Sequence, residues 1–198
     1  MTGESVKNTV SLMLITIVAG LLLGLVYEIT KEPIATQQQN AKEQAYKEVF
    51  ADADTFEEIK VDIEKMDEEL KKQGMDATID EAMKALKKDG SLEGYVLTVT
   101  DHEGYGGDIR FAMGIKSDGT VNGISFLSLS ETAGLGMKAQ EDDFKNQFAG
   151  KKAEHFAYTK NGASADNEID ALSGATITTN AVTNGVNAGL YYVSTLDR

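Results

Sequence analysis

From Val10 to Val26 the chain runs for 17 residues without a charge, VSLMLITIVAGLLLGLV, between Lys7 and Glu28. At about 1.5 Å of rise per residue, a helix of that length just crosses a hydrocarbon core, and Tyr27 sits where an interfacial anchor belongs. The run is longer than a signal-peptide apolar region and no small-x-small cleavage site follows it, so it predicts a retained anchor. Pro33 predicts a kink or the first turn of a new helix. Beyond it Ala41, Ala45, Tyr46, Val49 and Phe50 recur at helical spacing and predict a juxtamembrane helix. Between Asp52 and Asp89, Phe56, Ile59, Ile63, Met66 and Leu70 step by 3, 4, 3 and 4, and Ile79, Ala82, Met83 and Leu86 form a shorter stripe. That spacing predicts amphipathic helices packed on the domain, with a partner-docking arm as the alternative. At Gly90 the period changes to two. Tyr95, Leu97 and Val99, then Ile109, Phe111, Met113 and Ile115, alternate with their neighbours as in strands, and Asp118-Gly119 turns the chain into a third strand from Val121 to Leu129. A short helix near 140–148, an irregular stretch near 150–162 and a final helix ending near Leu196 complete the pattern.

The expected fold class is therefore α+β: one N-terminal transmembrane helix, then a domain with a mostly antiparallel sheet and flanking helices. The expected division is an anchor over 1–32, a juxtamembrane and acidic helical segment over 33–89, and the main domain over 90–198. A 198-residue chain with 41% hydrophobic residues can build a core of that size. The formal charge of −13 opposes nucleic acid and anionic surfaces as partners. With no cysteine and only His102 and His155, the chain offers no iron–sulfur ligation, haem attachment, thiol nucleophile or convincing zinc site. Neither histidine has a motif that would make it a general base, so no catalytic residue and no metal ligand is assigned.

Two stretches carry chemistry. Asp170-Ala171-Leu172-Ser173-Gly174-Ala175-Thr176-Ile177-Thr178-Thr179 places small and hydroxyl residues just ahead of a helix, where free backbone N–H groups and the dipole favour a phosphate. The plainer alternative is that Thr178 or Thr179 caps an ordinary helix. The second stretch is Ser130-Glu131-Thr132-Ala133-Gly134-Leu135-Gly136, whose glycines allow close backbone approach to a flat ligand. Read on to Ala139 it matches G-x-G-x-x-A. It follows an antiparallel meander, however, and not the parallel crossover unit that a dinucleotide site requires. Donors and a phosphate nest without acid–base machinery suit a chain whose chemistry is brought by a cofactor.

These pieces resemble the G subunit of the Rnf-type ion-translocating ferredoxin:NAD oxidoreductase, related to the C subunit of the sodium-pumping NADH:quinone reductase. The resemblance rests on Asp170 to Thr178, on Ala181, Val182, Asn187, Gly189 and Leu190, on Glu131 to Gly136, on Gly104-Tyr105-Gly106-Gly107, and on the single N-terminal span. It departs at Ala133, where the family loop is expected to carry proline.

The resemblance implies an FMN-binding domain with FMN joined through its phosphate to Thr176 by a separate flavin transferase. Ser173, Gly174 and Ala175 would shape that turn, and Glu131, Thr132, Gly134, Leu135 and Gly136 would wall the flavin ring. Asp170 would matter for recognition by the transferase. The implied protein is a single-pass component of a bacterial or archaeal cell membrane, its domain outside the cytoplasm. It would pass electrons within a complex that includes a second flavinylated membrane subunit, and ion movement would be coupled to that path. The alternatives are the equivalent quinone-reductase component and a flavin-free tethered assembly module.

Overall fold

The computed structural model describes residues 3–51 and 53–196. Met1, Thr2, Asp197, Arg198 and Asp52, the first residue of the acidic segment, lie outside the described residues. Contacts divide the chain into Met1–Ala41 and Lys42–Arg198. The described residues of the first unit, 3–41, belong to helix α1, Gly3–Val49. Its apolar side chains face outward, Leu12, Leu21 and Leu23 among them. It is the one helix among the described residues that is long and apolar enough to cross a membrane. Pro33 lies inside α1 and starts no new helix. A proline removes one N–H donor and crowds the preceding turn, and here the surrounding helix continues through it.

The second unit begins with the last turns of α1 and continues through β1 (Thr55–Ile59), α2 (Ile63–Lys72), β2 (Ala77–Leu86), β3 (Leu92–Asp101), β4 (Ile109–Lys116) and β5 (Val121–Ser128). The strands form one five-stranded sheet in sequence order, and each neighbouring pair is antiparallel. After a 3-10 turn at Gly136–Gln140 come α3 (Asp142–Lys145), β6 (Ala157–Thr159), β7 (Glu168–Asp170) and α4 (Thr176–Leu196). β6 and β7 pair in parallel.

The expected α+β class and the three-strand meander are present, with Asp118 Oδ1 accepting from Thr120 N at 2.9 Å in the hairpin turn. The acidic segment differs. Of the first stripe only Ile63, Met66 and Leu70 lie on a helix, Phe56 and Ile59 lie on β1 and the whole shorter stripe lies on β2, so the compact unit takes in most of 33–89.

The physical reason lies in the bulge. The register of β2 against β3 slips between Ile79 and Glu81, so an extra residue puts Ala77, Ile79 and Ala82 on one face. Met83 and Ala85 belong to the other cluster, Ala85 buried in it and Met83 packed against it. A bulge thus spaces same-face residues by three, which imitates a helix. In β1 the step of three from Phe56 to Ile59 joins opposite faces of a strand.

Both faces of the sheet are covered. On one, α4 lays Ala181, Val182, Val186 and Leu190 over Leu97, Val99, Phe111 and Met113. Gly185 and Gly189 allow this approach, since a Cβ at Gly185 would stand 2.9 Å from the Phe111 ring and one at Gly189 2.7 Å from Met113 Sδ. On the other face Ala45, Tyr46, Val49 and Phe50 close over Ala85, Val96 and Ala112. Tyr46 Oη and Thr98 Oγ1 share a buried hydrogen bond of 2.7 Å. Asn122 Nδ2 donates to the Val49 carbonyl.

Candidate cofactor site at the start of the last helix

The chain leaves β7 with its backbone clamped. Asp170 N donates to Gln147 Oε1 at 2.6 Å, Gln147 Nε2 donates to Asp170 O at 3.3 Å, and Asp170 Oδ1 accepts from Ala163 N at 2.6 Å. The next five residues turn sharply. Gly174 has φ +75°, a conformation open to glycine without strain. Ala175 N donates to Leu172 O at 3.1 Å, and α4 starts at Thr176.

The expectation that Thr178 or Thr179 caps the helix is corrected here, because both lie within its first turns. The Thr179 hydroxyl points back, donating to Ala175 O at 2.9 Å and accepting from Leu172 N at 3.1 Å. No side chain among the described residues reaches forward to the leading amides, and the N–H groups of Thr176, Ile177 and Thr178 have no partner there. They form the open positive end of a helix 21 residues long.

The second loop meets this turn directly. Leu135 N and Met137 N both donate to Thr132 O, at 3.1 and 3.2 Å, and Gly134 takes φ +76°. Gly136 is wedged between the loops. A Cβ there would stand 2.6 Å from Thr178 Oγ1 and 2.7 Å from Glu131 Oε2. A Cβ on Gly174 would touch Leu135 Cδ2 at 3.1 Å. Glu131 is almost fully buried and accepts from Gly106 N at 3.2 Å, which ties the 104–107 loop to the same place.

Between these loops lies a cavity of about 520 Å³ lined by Glu131, Thr132, Leu135, Gly136, Gly174, Ala175 and Thr176, together with Tyr105, Ile177 and Thr178. Its size suits a small-molecule site, which spans about 300–1,000 Å³. Of the sequence-derived residues, Ser173 and Gly134 stand beside it in the two loops and do not line it. The sequence alone does not mark Tyr105, Ile177 and Thr178 as lining residues. The glycines flanking Tyr105 are the one available signal.

The residues present fit a flavin mononucleotide. Three free amides are available to a phosphate, glycines would let a flat ring approach the backbone, and Leu135, Ile177 and Tyr105 offer apolar contact. Glu131 is the only charged lining residue among the described residues, so a bound phosphate would be offset by amides and the helix dipole. Neither histidine lines this cavity. His102 bridges Asp108 Oδ1 at 3.1 Å and Thr78 Oγ1 at 3.2 Å. His155 lies in a larger hollow of about 800 Å³, lined by charges of both signs including Asp118, Lys152 and Glu154.

Residues 104–191 match the model of the FMN-binding domain, and residues 1–49 match that of the RnfG N-terminal region. The chain is 32% identical over 192 residues to the G subunit of the Na(+)-translocating ferredoxin:NAD(+) oxidoreductase complex of Acetobacterium woodii, covering 94% of this chain and 90% of that one. It is 31% identical over 195 residues to the G subunit of the ion-translocating oxidoreductase complex of Methanosarcina acetivorans, covering 96% and 95%. The crystal structure of the C subunit of the Na(+)-translocating NADH-quinone reductase from Parabacteroides distasonis superposes with a TM-score of 0.50 at 21% identity, over 72% of this chain and 78% of that one, and shares the fold. With such identity along nearly the whole length of its relatives, the chain belongs to the G-subunit family of the ion-translocating oxidoreductase complexes.

Proposed function

We propose that this protein is the membrane-anchored electron-transfer subunit of an ion-translocating ferredoxin:NAD oxidoreductase complex, with FMN bound covalently through its phosphate to Thr176. Family membership and the matched FMN-binding domain support the role and the cofactor. One observation carries the choice of residue. Of the threonines in the opening turns of α4, Thr178 and Thr179 are buried, and the Thr179 hydroxyl is already used twice. Thr176 is half-buried, lines the cavity, and its hydroxyl has no partner among the described residues.

The flavin, when bound, supplies the one- and two-electron chemistry. The chain's own work is positional. Amides of the first turn of α4 hold the phosphate, and the loop from Glu131 to Gly136 bounds the ring. The loop's fixed hydrogen bonds keep that wall from moving as the charge on the cofactor changes. Thr176 Oγ1 would be the atom that takes the flavin phosphate from an activated flavin dinucleotide, whose phosphoanhydride bond would break to release a nucleoside monophosphate together with the hydroxyl proton. A flavin transferase performs this step. The apolar part of α1 anchors the chain in lipid, with the domain outside the cytoplasm. There it exchanges electrons with other subunits of the complex, a second flavinylated membrane subunit among them.

The chain produced with a flavin transferase gives a fluorescent band on a denaturing gel, and the peptide spanning Ser173 to Thr179 gains the FMN mass. Thr176→Ala abolishes both. Covalent flavin retained in that variant would place the attachment elsewhere. Protease added outside right-side-out vesicles cleaves the domain, and full protection would reverse the topology.

A further inference from the structure

Tyr105 stands out in the unit that runs from Lys42 onward. Tyr46, Tyr95 and Tyr192 are buried there, whereas Tyr105 is 69% exposed. Its exposure is not that of a loose loop. A Cβ at Gly104 would run into the Gly107 carbonyl and the Ile109 side chain, and one at Gly106 would run into the Ser130 carbonyl. Gly107 has φ +115°, a conformation that side chains rarely adopt. Gly107 N donates to Gly104 O at 3.4 Å, and Gly106 N donates to the nearly buried Glu131 carboxylate. Four residues are thus fixed so that one aromatic ring lines the cavity beside Thr176. Its apolar neighbours make the same point. The large hydrophobic residues exposed between Lys42 and Leu196 are Ile63, Leu92, Tyr105, Leu135 and Ile177, and the last three all line this one cavity.

An apolar lip on an otherwise strongly acidic protein is suited to a flat, weakly polar partner surface. Resting on the assignment of FMN to Thr176, we infer that Tyr105 is a cofactor-contacting residue whose ring stacks on the isoalloxazine, with Leu135 and Ile177 gripping its edges. Glu131 acts through it by holding the loop. An electron-rich phenol in van der Waals contact with a flavin quenches the flavin's emission and biases its reduction potential, because the neutral oxidised ring stacks better than the anionic reduced one.

The test uses the full chain loaded by a flavin transferase, with flavin content measured by mass before any optical reading. Tyr105→Leu keeps its covalent FMN, its emission rises several-fold and its midpoint potential shifts upward. Tyr105→Phe lies between it and the unaltered chain. Emission and potential unchanged in Tyr105→Leu at equal flavin content would overturn the stacking role. If Tyr105→Leu fails to load, Tyr105→Phe decides. Loading restored by the phenyl ring supports ring contact, and failure of both variants assigns the loss to the loop's fold and overturns the inference. An unaltered chain without FMN mass defeats the attachment at Thr176 and the stacking role with it, an outcome distinct from loss in the Tyr105 variants alone.

Discussion

The first turn of α4 and the body of the same helix are built on opposite terms. From Thr179 to Val193 most side chains are buried, and glycines at 185 and 189 let the helix press onto the sheet. The hydroxyls of Thr179 and Thr183 and the amide of Asn187 are all paired. In the first turn three amides are free, Ile177 is 51% exposed and the Thr176 hydroxyl has no partner among the described residues. Burial with satisfied hydrogen bonds stabilises the fold, and donors left open are the ones available to a ligand. One helix therefore does both jobs, and variants along it should separate stability from flavin loading.

The largest stability effect should come from Asn187. Its Oδ1 accepts from Phe156 N at 2.7 Å and its Nδ2 donates to Phe156 O at 3.0 Å, all in buried surroundings. Asn187→Leu strands two buried backbone groups, each worth about 1–3 kcal/mol, so unfolding of the full chain in detergent should lose about 2–6 kcal/mol. A loss under about 1 kcal/mol would mean the body is not tied down as described.

Asp101 comes next, beneath the body of α4 near Gly185. Burial pushes its carboxyl up to about 7, Glu103 and Asp76 add to this, and the Glu103 N–H and His102 oppose it. Its Oδ2 has no partner among the described residues. The folded state then keeps a proton that the unfolded chain releases near pH 4, so this group's contribution to stability falls as pH rises from about 4 to 7 and is flat above that. Asp101→Asn retains an acceptor for Glu103 N and removes the slope, gaining about 2–4 kcal/mol at pH 8 relative to the unaltered chain. Parallel stability–pH curves for the two would refute it.

These contrasts also mark what can be read from the letters alone. The meander from Tyr95 to Leu129 is legible because its alternation is unbroken over most of its length, whereas the two glycine-bearing loops can each be marked from their residues but are joined in one site only by the family resemblance. β2 is not legible. Its bulge at Asp80 spaces Ile79 and Ala82 like a helix, and nothing local distinguishes the two. The start of α4, at Thr176, lies two or three residues ahead of the threonines expected to cap it, for a related reason. A threonine hydroxyl that turns back to the i−4 carbonyl looks in sequence like one that caps, and only packing against Gly136 and Leu172 decides. Tyr105 is visible as part of a glycine-rich tetrad, yet its place beside Thr176 depends on the Glu131 tether, a contact between residues 25 apart in sequence.

Smaller effects follow inward from the two regimes. Gly185→Ala puts a methyl 2.9 Å from the Phe111 ring and should lose about 1–3 kcal/mol in the same unfolding assay, with flavin content per folded chain unchanged. The smallest stability effect belongs to the residue with the largest consequence for the cofactor. Thr176 is half-buried, begins the helix, and lends its hydroxyl to no neighbour among the described residues, so Thr176→Ala should change the stability of the flavin-free chain by less than about 0.5 kcal/mol while eliminating covalent FMN. Thr179→Val should do the reverse. It deletes the bond to Ala175 O and leaves Leu172 N unpaired, losing about 1–2 kcal/mol but keeping FMN on every folded chain. The two hydroxyls are three residues apart on one helix, so a crossed result, one variant stable and colourless, the other weakened and yellow, can only arise if the boundary between ligand-facing and core-facing chemistry falls between them. If both variants lost flavin in proportion to stability, the first turn would be part of the packed body after all.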